Sequence, residues 1–151
     1  MRLVFSLATL ALAAHACLAD VHDNGDGTVS DGLSGLRWTQ EGNGEEINHP
    51  DSVVFCENSS LAGFDDWRLP TLEEAITLFR PEGEPKNRYR YRDKDYPLRI
   101  DDAFRLSAPG IWTSSASYRG QPTAYLYSSG KEFSWRGDNK NFQRVLCVRP
   151  D

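Results

Sequence analysis

Histidine, cysteine and methionine are scarce in this chain, which has three, three and one among 151 residues. His15 falls in the apolar N-terminal run, so only His22 and His49 remain, both in polar, turn-rich stretches, and Ser114 and Ser115 have no identifiable base. A nucleophile activated by histidine has little to be built from. Two cysteines without histidine at ligand spacing fall short of a zinc site, so neither metal nor cofactor is expected. Carboxylates are plentiful (Glu45/Glu46, Asp65/Asp66, Asp101/Asp102), but a glycosidase pair is defined by separation in space. A small hydrolase is therefore the third reading, behind two non-catalytic ones. Beyond the first 18 residues no apolar run is long enough to span a bilayer.

What is present begins with MRLVFSLATLALAAHACLAD: one cation, an uncharged apolar run and small residues. That layout predicts a secretory signal peptide over residues 1–19, with cleavage after Ala19, or alternatively after Ala16. Acylation of Cys17 is the competing reading. A single mature domain over residues 20–151 results, secreted or periplasmic, with 16 cations against 22 anions and a net charge of −6. Cys56 and Cys147 then form an even pair in an oxidising compartment, and a disulfide is expected, two buried free thiols being the alternative.

The pattern along the mature chain predicts α+β. Asn24-Gly25 and Asp26-Gly27 supply turns, flanking short strands at Thr28-Val29-Ser30 and Leu36-Arg37-Trp38. The Asp23, Asn24, Asp26 cluster misses the EF-hand template and reads as a turn. Pro50 and Asp51 open a helix whose apolar side is Val53, Val54 and Leu61 and which Gly63 ends; His49 before it reads as exposed. A short strand is expected around Trp67–Leu69. Thr71-Leu72-Glu73-Glu74 is a capping box, and Leu72, Ala75, Ile76 and Phe79 form a helical stripe ended by Pro81. Residues 81–97 show no helical period and little to bury, so a long loop is expected. Ile100 and Phe104 are the apolar anchors of the short linker after that loop. Strands are expected at Gly110–Ser115, Ala124–Ser128, Lys131–Trp135 and Gln143–Arg149, an antiparallel run with a turn at Ser129-Gly130.

The stretches DNGDGTVSDGLSGLRW, FCENSSLAGFDDWRLPTLEEA, YPLRIDDAF, IWTSSASY and RVLCVRP succeed one another as in a bacterial family. Together they resemble the Lcl C-terminal domain family, named for a collagen-like surface adhesin. The resemblance implies a C-type-lectin-like fold, with two helices packed on a small twisted antiparallel sheet carrying long loops. It also implies that Cys56 pairs with Cys147, that the module is secreted or surface-displayed, and that a sulfated polysaccharide is its ligand. The chain has no Gly-X-Y stalk, so trimerisation is not carried over. Glu84-Pro85-Lys86 and Gln121-Pro122-Thr123 each miss the third residue of a calcium-dependent sugar motif.

Residues 86–99 hold six cations (Lys86, Arg88, Arg90, Arg92, Lys94, Arg99) against Asp93 and Asp95, a local net of +4 where the rest of the mature chain carries −10. If extended, Arg88, Arg90 and Arg92 share one face, and Tyr89 and Tyr91 the other. Arginine forks suit sulfate and phosphate oxygens. Lys86, Arg88, Tyr89, Arg90, Tyr91, Arg92 and Lys94 are thus the candidate contact surface for an anionic polysaccharide or a surface protein. The competing reading is a solvated loop, its arginines paired to Glu82, Glu84, Asp93 and Asp95. Nucleic acid is not expected, because an acidic domain repels a long phosphate backbone outside one patch. Trp112, Tyr118, Tyr125, Tyr127 and Trp135 offer a stacking platform or sheet core, while Trp38 and Trp67 read as core. Arg136-Gly137-Asp138 spells an adhesion tripeptide but also suits a tight turn. The functional expectation is a secreted binding module, or else a structural component of a surface appendage making only protein contacts.

Overall fold

The computed structural model describes residues 21–138, 140 and 143–151; the expected signal peptide at 1–19 and Cys17 lie outside them. The N-terminal turn residues act as foreseen. Asp23 Oδ1 accepts the Gly25 N–H at 2.9 Å and Asp26 Oδ1 accepts the Thr28 N–H at 3.0 Å, while Gly25 and Gly27 take positive φ. The cluster that resembled an ion site is thereby a hydrogen-bonded turn. It joins β1 (Val21–Asp23), a strand not expected from the sequence, to β2 (Thr28–Asp31). With β3 (Leu36–Thr39) and the final strand β10 (Val148–Pro150) these form an antiparallel sheet of order β1-β2-β3-β10.

Helix α1 runs from His49 to Glu57, capped by Asn48, whose side chain accepts the Asp51 N–H, with Pro50 in its first turn. It is shorter than expected, and of the expected apolar residues Val53 and Leu61 pack against the core while Val54 does not. Ser52 and Cys56 face inward, while Val54 stands 52 % exposed. The Cys56–Cys147 disulfide holds that side inward, and the Ser52 hydroxyl becomes buriable by donating to the His49 carbonyl at 2.6 Å. Leu61–Gly63 is a separate 3₁₀ turn with Ala62 at φ 55°.

Helix α2 (Leu72–Thr77) shows both capping-box bonds, Thr71 N–H to Glu74 Oε2 at 2.8 Å and Glu74 N–H to Thr71 Oγ1 at 3.2 Å. Arg68 forks onto the same carboxylate at 2.7–2.8 Å, and that pairing holds Glu74 below its ordinary pKa. Thr71→Ala is expected to lower stability by about 1 kcal/mol, readable as a lower urea midpoint at unchanged m-value. The stripe is realised only in part: Ala75 is buried, but Ile76 is 45 % exposed and Leu78 takes the inner place. Six residues complete fewer than two turns, so Phe79 already leaves the helix and bridges to Ile100. The strand expected at Trp67–Leu69 reduces to one bridge, Arg68 with Val148.

Residues 81–97 are not one long loop. β4 (Asn87–Tyr91) and β5 (Lys94–Leu98) form an antiparallel hairpin whose register places Tyr89 opposite Tyr96 and Arg90 opposite Asp95. The second four-stranded sheet contains β6 (Gly110–Ala116), β7 (Pro122–Leu126), β8 (Lys131–Ser134) and β9 (Gln143–Arg144) in the order β8-β7-β6-β9. The strand expected at Gln143–Arg149 is two strands, broken at Val145–Cys147, and β9 pairs with β6 in parallel. Among the described residues the frame is thus α+β, two α-helices with two four-stranded sheets and a hairpin rather than one small sheet.

Two cores are adjacent. One gathers Trp38, Leu78, Leu98, Phe104, Tyr127 and Leu146. The other surrounds the disulfide with Trp67, Trp112 and Val145. Ile100 and Phe104 anchor as expected, and Trp38 and Trp67 are core.

Candidate functional site

The hairpin displays its residues by strand alternation. Opposite residues of an antiparallel pair share a face, so Arg88, Arg90, Asp95 and Pro97 lie on one side, and Tyr89, Tyr91, Lys94 and Tyr96 on the other. Tyr89 is half-buried, stacks on Tyr96 with centroids 5.3 Å apart, and packs against the first core. Desolvation raises its pKa. Tyr89 and Leu98 on this face therefore seat the hairpin, with Arg88 and Arg90 on the opposite face.

Each predicted contact residue has a distinct setting. Lys86 lies before the hairpin and closes on Asp102 at 2.7 Å, an exposed pair that raises the lysine pKa and lowers that of Asp102. Arg90 Nη1 lies 3.3 Å from Asp95 Oδ1. Arg88 and Lys94 have no ion pair among the described residues. Arg92 departs from the expected arginine face: it is in the two-residue loop at φ 54°, with its guanidinium 5.3 Å from the Tyr91 ring centre. Lys94 shares the tyrosine side. Arg99 leaves the patch and donates to the Pro81 and Gly83 carbonyls. The foreseen pairing to acids is realised at Asp95, and Asp102 takes Lys86.

Below the tyrosine side is a cavity of about 320 Å³. Tyr89, Arg90 and Tyr91 form its hairpin wall, and Trp135, Arg144 and Glu46 line it from other elements. Trp135 stacks on Phe133 at 5.2 Å and meets Trp112 edge-on at 6.1 Å. The Arg144 Nε donates to Ser107 Oγ at 3.3 Å, while its Nη1 is shut off from solvent without an acceptor among the described residues. Burial lowers the Arg144 pKa, opposed by the negative charges of Glu46 and Glu45. Sequence reasoning does not single out Arg144, which lies inside an expected strand like any other alternating residue.

The aromatic platform is dispersed. Trp112, Tyr125 and Tyr127 are buried, Tyr127 donating to the Ala75 carbonyl at 2.8 Å, and Tyr118 is 91 % exposed on a separate turn. Only Trp135 reaches the groove. Arg136 and Asp138 form an exposed ion contact of 3.7 Å, and the Gly137 carbonyl accepts the His49 N–H at 3.1 Å. The tripeptide is a turn that braces the start of α1. His49 itself is half-buried, contrary to expectation, its Nε2 donating to the Thr113 carbonyl at 2.9 Å and its ring edge-on to Trp112.

The disulfide joins Cys56 to Cys147, with Cα atoms 5.5 Å apart. Among the described residues no helix is long and apolar enough to cross a membrane. No curated protein and no solved structure matches the chain. The family model of the Lcl C-terminal domain matches residues 27–149, a span from the first hairpin to the last strand. The chain belongs to the Lcl C-terminal domain family.

Proposed function

We propose that the chain is an exported, non-catalytic binding module of C-type-lectin-like architecture, whose β4–β5 hairpin engages an anionic polysaccharide. The observation that carries this reading is the division of the hairpin into two faces: Tyr89 and Leu98 anchor it while Arg88 and Arg90 lie on the opposite face. A ribbon of guanidinium groups on a rigid support suits repeated sulfate or carboxylate groups, because little side-chain freedom is lost per bond formed. The disulfide supports export, and it withdraws both described cysteines from thiol chemistry.

Retention on a heparin column tests the reading. The Arg88→Ala/Arg90→Ala/Arg92→Ala variant is expected to elute at clearly lower salt than the wild type. The slope of log K against log salt should fall by roughly one per lost contact, as for other polyanions. Equal elution salt for the two proteins rules out the hairpin as the contact surface.

A protein-contact role in a surface appendage is the second reading. The adjacent exposure of Val54 and Phe55 on α1 favours it. A blank glycan array together with stoichiometric capture of a surface protein selects that role.

A further inference from the structure

The groove beneath the hairpin differs in chemistry from the ribbon above it. Its volume, about 320 Å³, is at the small end of ligand cavities, roughly 300–1,000 Å³. That suits one or two sugar rings rather than an extended chain. Two aromatic walls are held from behind, Tyr89 by Tyr96 and Trp135 by Phe133 and Trp112. Backed rings lose little freedom on contact and offer the flat apolar face that a pyranose ring covers.

The polar groups are few. Arg144 lines the groove; its Nε is given to Ser107, its Nη1 is closed to solvent, and its guanidinium makes no ion pair among the described residues. A groove-lining guanidinium without a counter-ion gains a charge-assisted bond from an anionic acceptor that enters. Arg90 is already engaged by Asp95, and Glu46 adds a negative charge that acts on Arg144 through space. One guanidinium is left to be satisfied, beside a carboxylate that opposes a second anionic group and accepts from hydroxyls. A carboxylate is an acceptor that pairs with a guanidinium in a charge-assisted bond.

We propose that this groove takes a single sugar unit bearing one carboxylate, with the acid on Arg144, the ring against Trp135 and a hydroxyl on Glu46. The proposal rests on the polysaccharide reading only in taking an acidic saccharide as ligand. It assigns a specificity subsite to residues outside the arginine face.

Calorimetric titration tests it with a defined unsulfated hexuronate tetrasaccharide, its carboxyl-reduced neutral counterpart, and a sialylated trisaccharide. The wild type is expected to prefer the hexuronate over its reduced form. Arg144→Gln should lower hexuronate affinity roughly ten- to hundredfold while the weaker binding of the carboxyl-reduced counterpart stays at its wild-type value. Arg144→Lys keeps the charge but removes the planar guanidinium and its Nε bond to Ser107; at an unchanged thermal midpoint it should lose most of the preference. Sialoside binding with the same dependence on Arg144 supports the subsite and identifies that acid as a source of the carboxylate. Equal affinity of Arg144→Gln and wild type for the hexuronate overturns the subsite, as does equal binding of acid and reduced sugar. Loss in Arg88→Ala/Arg92→Ala but not in Arg144→Gln also overturns it, yet leaves the hairpin reading intact. Failure of the heparin test with Arg144 dependence retained overturns only the hairpin reading.

Discussion

Replacing Cys56 and Cys147 together by alanine is expected to lower the unfolding free energy by about 4–5 kcal/mol. The bond joins residues 91 apart in sequence. Its removal returns to the unfolded chain the freedom of a loop of that length, and the entropy released grows with the logarithm of the length. The folded state loses less. Thr39 and Cys147 stay joined by two hydrogen bonds, Thr39 N–H to the Cys147 carbonyl at 2.9 Å and Cys147 N–H to Thr39 Oγ1 at 3.0 Å. β10 therefore keeps its place beside β3, and helix α1 loses its tether, since the sulfur bridge fixes which side of it faces inward. Alanine is the better probe than serine, because both positions are fully buried and a hydroxyl there adds an unsatisfied polar group. Since total stability of a domain is about 5–15 kcal/mol, a shift of this size is a large share of it. Urea unfolding of the oxidised wild type and the double variant measures the difference. A loss under about 1 kcal/mol would show that the loop-entropy account fails for this chain.

Where local chemistry is sufficient, the sequence carried the fold. Thr71 and Glu74 satisfy each other's backbone neighbours whatever surrounds them, so α2 starts where its capping box says. The Asp-Gly and Asn-Gly turns likewise need no tertiary partner, and the link from β1 to β2 arises from them. The cysteines were readable from their count. Where partners decide, the reading went astray. Val54 has an apolar side chain at a helical position, but a bond formed by Cys56 with a residue 91 positions away sets the rotation of α1 and leaves Val54 outside. β9 pairs with β6 in parallel, an arrangement that no turn signal announces. The hairpin β4–β5 hid behind its charge: a run in which almost every second residue is a cation has no apolar alternation, because its inner side is held only by Tyr89 and Leu98. Hence the alternation of arginine and tyrosine was foreseen, though not the loop that removes Arg92 from the arginine face. Arg144 could not be singled out, because its distinction is an unpaired, desolvated donor, a property of its surroundings.

Trp112→Ala is expected to cost about 3–5 kcal/mol, and to reach the groove as well as the core. Trp112 is fully buried on β6 and makes contacts in three directions. Its Nε1 donates to the Ile47 carbonyl at 2.7 Å, its ring receives His49 edge-on at 5.6 Å, and Trp135 meets it at 6.1 Å. Truncation leaves a cavity in the core around the disulfide and strips the Ile47 carbonyl of its donor, so transfer, cavity and desolvation losses add. Trp112→Phe separates them. The ring volume is largely kept and the N–H is lost, so about 1–3 kcal/mol is expected from the orphaned carbonyl. The functional consequence comes through Trp135, which is wedged between Phe133 and Trp112. With Trp112 gone, one of its two supports is missing, and its position along the groove wall is no longer held from the core side. Denaturant melts of both variants give the energies, and Trp135 fluorescence in each, read against Trp112→Phe, reports the change in its packing. A Trp112→Ala loss no larger than that of Trp112→Phe means that the hydrogen bond to Ile47, and not the ring, is what holds this part of the core.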